Sequence, residues 1–259
     1  MVSRVGVDPL GREMATALSE KGFDLSLVQQ DSTRPTGTVG VSLQADGSPH
    51  FTIHRDVAYD YLEAVPVLLE LAAQVPLICF GTLIQRSHTS RTSLYQLLDS
   101  APKAIKFLDI NLRADCFNDE TVVASLERAD ILKLNSSEVQ AIASIVGLPD
   151  ANEEIRARAI LERFDLSAIL VTRGEHGVYA LSKTGEEVSL PGLPVSVVDT
   201  IGSGDSFSAG FISRLLAGAS LKESCYFGNV VGALNATRTG GMPHIAPDDI
   251  VAMSSAHPL

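Results

Sequence analysis

A chain of 259 residues, 45% of them hydrophobic and with a formal net charge of -11, is long enough for one large α/β domain with a sizeable core. The acidity argues against nucleic acid or an anionic membrane as the main partner. Three scattered cysteines (Cys79, Cys116 and Cys225) offer neither a disulfide framework nor metal spacing and read as reduced packing residues. With no signal peptide and no long apolar span, a cytosolic protein is expected.

In chain order, Asp8-Pro9-Leu10-Gly11 predicts a helix through about Lys21, with Asp8 as cap and Pro9 at the first helical position. Met1 to Arg4 reads as leading straight into helical sequence. Gly22 ends the helix, and Leu25 to Val28 reads as a short strand. From Pro35 the period becomes two: Thr36 to Leu43 alternates, Ala45-Asp46-Gly47 turns, and Phe51 to His54 alternates again. This 36–54 hairpin is expected as a lid outside the main sheet, with an ordinary edge hairpin as the alternative. Helices are then expected at about 64–74, 90–98, 119–128, 136–146 and 152–163, and strands at 77–80, 104–110, 131–134 and 168–172. Short strands at 177–182, 186–190 and 195–198 precede a helix starting near Gly204, a helix at 221–238 and a last turn of helix from Pro247. Strands spaced by helices imply an α/β protein with a three-layer, doubly wound, mostly parallel sheet and a small β lid. No linker or repeat divides it, so a single domain, 1–259, is expected.

The chemistry concentrates where the last of these strands meets its helix, at Asp199-Thr200-Ile201-Gly202-Ser203-Gly204-Asp205. Amides at a helix start lack intrahelical partners and sit in positive dipole potential; Gly202 and Gly204 keep side chains away from them. Asp205 reads either as a helix-capping acid or as the base that takes a proton from an attacking hydroxyl while Gly202, Ser203 and Gly204 hold the transferred phosphoryl charge. No G-x-x-x-x-G-K-[ST] occurs, and Phe207 stands where the dinucleotide fingerprint needs its third glycine. Three further polar clusters fall just past predicted strand ends, where open parallel sheets bind ligands: Asp109-x-Asn111-x-Arg113, Asn135-x-x-Glu138 and Thr172-Arg173-Gly174. Each has a structural alternative: a surface salt bridge, a helix capping box and a plain hairpin turn. Lys133 is either an edge residue or a charge facing the site. His54, His88 and His244 have no metal spacing.

Asp199 to Asp205, with small residues and Gly210 behind it, resembles the C-terminal signature of the ribokinase-like (PfkB-type) carbohydrate kinases, especially fructokinase-like members. The resemblance covers almost the whole chain. It implies ATP-dependent phosphorylation of a small carbohydrate, with a fructose-like ketose as acceptor. Asp205 would be the base, and Gly202, Ser203 and Gly204 the anion hole. Asn135 and Glu138 would organise the water shell of Mg²⁺ and the ATP phosphates; Thr172, Arg173, Gly174 and Gly177 would lie along phosphates and ribose, and Asn229 beside adenine. Asn111 and Arg113 match the family's Asp-x-Asn-x-Arg, and Arg suits bidentate phosphate contact. Gln85 and Arg86 match a sugar-side loop, with a solvated loop as the alternative. Asp199, Ile201, Asn235, Arg238 and Gly240 match a loop that binds a monovalent cation such as K⁺ in many members. ATP and a sugar are the implied partners, with a homodimer through the hairpin.

Members of that family open earlier, with a strand bearing an acidic sugar contact and a Gly-Gly segment with a sugar-gripping Asn. This chain begins at the stretch that follows both, Ser3-Arg4-Val5-Gly6, so a full ATP half and a partial sugar half are expected. Two rival expectations are a non-catalytic nucleotide- or sugar-binding descendant of a kinase and a kinase for 2-keto-3-deoxygluconate or a nucleoside.

Overall fold

Proline and capping residues punctuate the chain into short elements, described in a computed structural model for residues 1–43 and 49–259. The expected Ala45-Asp46-Gly47 turn lies outside the described residues. In order they are β1 (Ser3–Gly6), α1 (Pro9–Glu20), β2 (Val28–Asp31), β3 (Val39–Leu43), β4 (Pro49–Ile53), α2 (Pro66–Ala72), β5 (Leu77–Phe80), α3 (His88–Asp99), β6 (Ile105–Asp109) and α4 (Asp119–Leu126). There follow β7 (Ile131–Asn135), α5 (Ser136–Ile145), α6 (Glu153–Arg163), β8 (Ala168–Thr172), β9 (Val178–Ser182), β10 (Glu187–Leu190), α7 (Ser203–Leu216), α8 (Leu221–Ala236) and α9 (Pro247–Ala256). The chain divides into two compact units, the first made of 1–75, 82–104 and 113–121, the second of 76–81, 105–112 and 122–259.

In the first unit, Asp8 caps α1 as expected, accepting from the Gly11 amide at 2.8 Å and also from the Thr36 amide at 2.7 Å. Two expectations fail here. Met1 to Arg4 does not lead into helix: Ser3–Gly6 is a strand, paired in parallel with Val28–Asp31. The second strand also starts three residues late, because Asp24 accepts from the Ser26 amide and the Val28 amide bonds Leu25, closing a turn where strand was expected. Strands β3 and β4 form a separate antiparallel sheet with Val39 opposite Ile53, and Val39 and Val41 are exposed.

The second unit carries a six-stranded sheet in the order β10-β9-β8-β7-β6-β5, parallel from β5 to β8 and antiparallel over β9 and β10. Alternate residues face opposite ways. Phe107, Ile131, Ala168, Leu170, Val178 and Ala180 pack against Phe207 and Phe211 of α7 and Cys225 of α8. Their neighbours Leu132, Ile169, Val171, Tyr179 and Leu181, all buried, point to the other face, where α5 and α6 pack on β7 to β9. The mostly parallel three-layer sheet is therefore present. Helices α7 and α8 approach closely because Gly228 has no side chain: a Cβ there would sit 2.8 Å from the Phe207 ring. The strand expected at 195–198 is absent. That segment is irregular, with a bend at Val198, and the Val198 and Asp199 amides both bond the Ala236 carbonyl at the end of α8.

Candidate active site

The site is built at the C-terminal ends of β6, β7 and β8, in the second unit. Helix α7 enters it with Gly202 as its cap, in the left-handed region at φ 77°. A Cβ at Gly202 would also meet the Gly241 carbonyl oxygen at 2.3 Å, so glycine is required on both counts. The Ser203 amide is spent on the Thr200 carbonyl, and the Ser206 amide closes the first helical bond to Gly202. The amides of Gly204 and Asp205 lie between these, in the first turn, where a helix offers no carbonyl. The Asp205 carboxylate sits on that same turn.

Lys133 and Asp109 lie under the turn. The Lys133 ammonium contacts the two Asp109 oxygens at 3.0 and 3.2 Å, and the Ser208 hydroxyl donates to Asp109 at 2.7 Å. Asn111, in the left-handed region at φ 42°, donates to the other Asp109 oxygen at 2.8 Å. Burial pushes the Asp109 carboxyl up, against the opposing pull of Lys133 and Ser208. Of the alternatives open in the sequence, Asp109 is thus in a buried pair rather than a surface one, and Lys133 faces inward.

Asn135 and Glu138 form the capping box at the head of α5. Asn135 Oδ1 accepts from the Glu138 amide at 3.0 Å, and Glu138 Oε2 from the Asn135 amide at 2.8 Å. Glu138 Oε1 also accepts from the Leu112 amide, so one carboxylate ties β7 to the segment after β6.

A cavity of about 560 Å³ is lined by the α7 turn and by several apolar residues. Ser203, Gly204 and Thr200 line one part, Thr172, Gly174 and Gly177 another, and Leu193, Pro194, Val195 and Val197 the apolar wall. Asn229 also lines it and donates to the Pro191 carbonyl at 3.3 Å. The 192–197 wall was missed in the sequence, although Pro191-Gly192-Leu193-Pro194 is a readable turn signal. Arg173 turns away: its guanidinium bonds Glu153 at 2.6 Å and Glu154 at 2.5 Å, and lies over the Tyr179 ring.

The loops before α7 and after α8 meet. Asp199 accepts from the Ile201 and Gly240 amides, each at 2.9 Å, and Asn235 donates to the Ile201 carbonyl at 2.8 Å. Those amides hold the Asp199 carboxyl below its usual range. Arg238 is turned to the His244 carbonyl and to Asp249. Four of the sequence-predicted residues, Asp199, Ile201, Asn235 and Gly240, are therefore brought together by these bonds, while the Arg238 side chain points elsewhere.

Gln85, Arg86 and Arg113 belong to the first unit. Gln85 is fully buried and accepts from the Tyr95 hydroxyl at 3.1 Å, so the solvated-loop alternative fails. Arg86 is equally enclosed, bonding both oxygens of Asp60, the His54 carbonyl and the Tyr59 hydroxyl. Among the described residues, no cluster of three or more His, Cys, Asp or Glu forms a metal cage, and no helix is long and apolar enough to cross a membrane.

Residues 1–248 match the model of the pfkB family of carbohydrate kinases. A fructokinase of Klebsiella pneumoniae is 29% identical over 255 residues, which is 93% of this chain and 80% of that protein. An uncharacterized sugar kinase of Pyrococcus horikoshii, crystallised in complex with ATP, is 25% identical with a TM-score of 0.79, covering 93% of this chain and 77% of that one. The ribokinase of Thermotoga maritima shares the fold at 20% identity, with a TM-score of 0.78 over 98% of this chain and 80% of its own.

Proposed function

This chain belongs to the pfkB family of carbohydrate kinases, phosphotransferases that act on sugar hydroxyls, and from that premise we propose that it transfers the γ-phosphoryl group of ATP to a fructose-like ketose. The observation that carries the reading is a carboxylate, Asp205, on the first turn of a helix whose unpaired amides open onto a cavity of nucleotide size.

Nucleotide fits this cavity chemically. Its apolar wall suits a base, its hydroxyls and amides suit phosphates, and the Thr172–Gly177 turn offers backbone close to the ligand because Gly174 and Gly177 carry no side chains. Asn229 is assigned to the base. Mg²⁺ binds with few protein carboxylates and keeps its waters and phosphate oxygens, which agrees with a single buried Glu138, already holding two amides, acting through water beside Asn135. Bound there, the ion would neutralise phosphate charge. A monovalent cation such as K⁺ is assigned to the loops joined by Asp199, Ile201, Asn235, Arg238 and Gly240.

The chain's own residues do the remaining work. Gly204 and Asp205 offer amides to the migrating charge, and Asp205 Oδ accepts the proton of the incoming hydroxyl. Asn111 and Arg113 are assigned to acceptor and phosphate, Gln85 and Arg86 to shaping the acceptor side, and the 36–54 hairpin to the lid. A second copy would pair through the exposed Val39 and Val41, a dimer that light scattering reads directly. The cytoplasm is the compartment we assign.

The test is a coupled turnover assay over ketoses, sugar acids and nucleosides, beside calorimetry with ATP. Fructose should lead the panel. Asp205→Asn should lower kcat by ~10²–10⁴-fold while ATP still binds. Near-parental kcat in that variant removes Asp205 from the role. ATP binding with no turnover in the parent favours a non-catalytic descendant, and a better sugar acid or nucleoside changes the acceptor.

A further inference from the structure

One buried side chain in the second unit is given no chemical step above. Asn235 lies near the end of α8 with none of its surface exposed. It falls on one helix face with Cys225, Gly228 and Gly232, all buried, at three- and four-residue spacing. The glycines of that face let α7 come close: a Cβ at Gly232 would meet the Ser203 carbonyl oxygen at 3.1 Å. Asn235 brings a strong hydrogen-bonding group to this face, and an amide taken fully out of water must find partners or weaken the fold.

Its partners are on the turn that opens α7. The side-chain nitrogen donates to the Ile201 carbonyl at 2.8 Å and reaches the Ser203 hydroxyl oxygen at 3.4 Å, while the side-chain oxygen accepts from the Ser206 hydroxyl at 3.1 Å. The amide fits only this way round, since a carbonyl oxygen accepts and never donates. Residues 201, 203 and 206 bracket the Gly202–Asp205 segment, so one side chain grips it at both ends and in the middle. The peptide between Ile201 and Gly202 is trans, so pinning its carbonyl toward Asn235 turns the Gly202 N–H the opposite way. Glycine at 202 supplies the left-handed backbone but no restraint of its own, and the restraint comes from α8.

We infer that Asn235 is a positioning residue for the phosphoryl transfer: its amide holds the Ile201 carbonyl and the Ser203 and Ser206 hydroxyls, and so keeps the Gly202–Asp205 turn in the one arrangement that presents its amides to the migrating charge. The inference rests on the reading of that turn as the phosphoryl site. Donors already aimed cost no reorganisation in the transition state, and a displacement of about 1 Å can lower a rate ~10²-fold. A turn with two glycines does not supply that aim by itself.

Asn235→Leu, which keeps the bulk and removes the donor, and Asn235→Ala test it at one fixed concentration of KCl. In both, kcat should fall ~10–10²-fold. Affinity for ADP, read by calorimetry, should stay within about twofold, because ADP lacks the phosphoryl group that the turn meets. Ile160→Ala is the control: it opens a cavity where α6 packs on the sheet and should lose stability with kcat unchanged. Parental kcat in an Asn235 variant, an ADP affinity lost in step with kcat, or an equal fall in Ile160→Ala overturns the proposal and leaves Asn235 a fastener between helices. Ser206→Ala, a milder change that loses only the bond to the side-chain oxygen, should lower kcat a few-fold, and parental kcat there overturns the proposal if neither Asn235 variant folds.

Hydrogen exchange gives a readout that needs no turnover. The Ile201, Ser203 and Ser206 amides are bonded to the Asp199 carboxylate and to the Thr200 and Gly202 carbonyls, all within the turn. Their exchange, followed on a peptide spanning 200–207, should quicken several-fold in Asn235→Ala and stay parental in Ile160→Ala. If the parent turns over no acceptor, the kinase reading falls by itself, and this exchange decides Asn235: an unchanged rate in Asn235→Ala overturns the inference.

Discussion

Each unit contains a buried ion pair, and the two are built for different work. In the first unit Arg86 and Asp60 keep about 5% exposure each, and every nitrogen of the guanidinium is bonded, to Asp60, to the Ile53 and His54 carbonyls, to the Tyr59 hydroxyl and to the Cys116 sulfur. Burial works against its charge, but the bonds to Asp60 outweigh that and raise Arg86 above the ordinary arginine range. No donor is left to spend on a ligand, and the pair fastens the 53–60 segment to the turn at Leu83–Arg86. In the second unit Lys133 bonds one carboxylate and lies against bare backbone at Gly204. The lesson is that burial alone does not mark a functional charge. The two pairs differ in placement: only Lys133 lies beside the turn that opens α7.

Several substitutions sharpen that contrast. The largest loss of stability should come from Arg86→Met, which strands Asp60 as an uncompensated buried charge at ~3–5 kcal/mol. Urea denaturation reads it, and Arg86→Met with Asp60→Asn should recover most of it. A single variant as stable as the parent would mean the pair contributes nothing. Gly202→Ala should cost about 1–3 kcal/mol for its left-handed backbone, with a fall in turnover besides, since its Cβ has no room beside Gly241. Retained kcat would detach the turn from the chemistry.

Acid sensitivity is the third difference. Burial opposes ionisation of Asp31, but the Thr33 amide and hydroxyl, the Arg34 amide and the Arg4 guanidinium prevail and hold its carboxyl down to about 2. A depressed folded pKa contributes stability above the unfolded value of ~4, and that contribution is lost as pH falls from there toward 2. Urea midpoints should drop across that window in the parent and less in Asp31→Asn. The smallest effect belongs to Asn152→Ala, which removes the cap of α6 from the Ile155 amide at ~1 kcal/mol. Thermal melting should shift by a few degrees without altering ATP affinity.

The elements carried by local rules were legible. The strand at 168–172 has the bounds expected of it, because a short apolar run between helices has few other fates. Asn135-x-x-Glu138 is the capping box its spacing allows, and the Gly202–Asp205 turn opens α7 within a residue of its predicted start. Other readings failed where the partner lay far off. Ser3–Gly6 is too short and polar to announce itself, and becomes a strand only by pairing with Val28–Asp31. Val195 to Val198 has strand-like residues, but the Val198 amide bonds the end of α8 instead. The direction of the Arg173 side chain, drawn to two carboxylates of α6, was likewise not legible in the sequence.

The amino-acid order alone determined which stretches are helix, where the Gly202–Asp205 turn opens α7 and which acid stands in its first turn, since capping, glycine freedom and apolar period act over three to five residues. Folding in three dimensions settled the direction of each long charged side chain. Arginine and lysine reach several ångströms from their backbone, and whether Arg86, Arg173 and Lys133 serve a ligand or a neighbour depends on carboxylates twenty or more positions away.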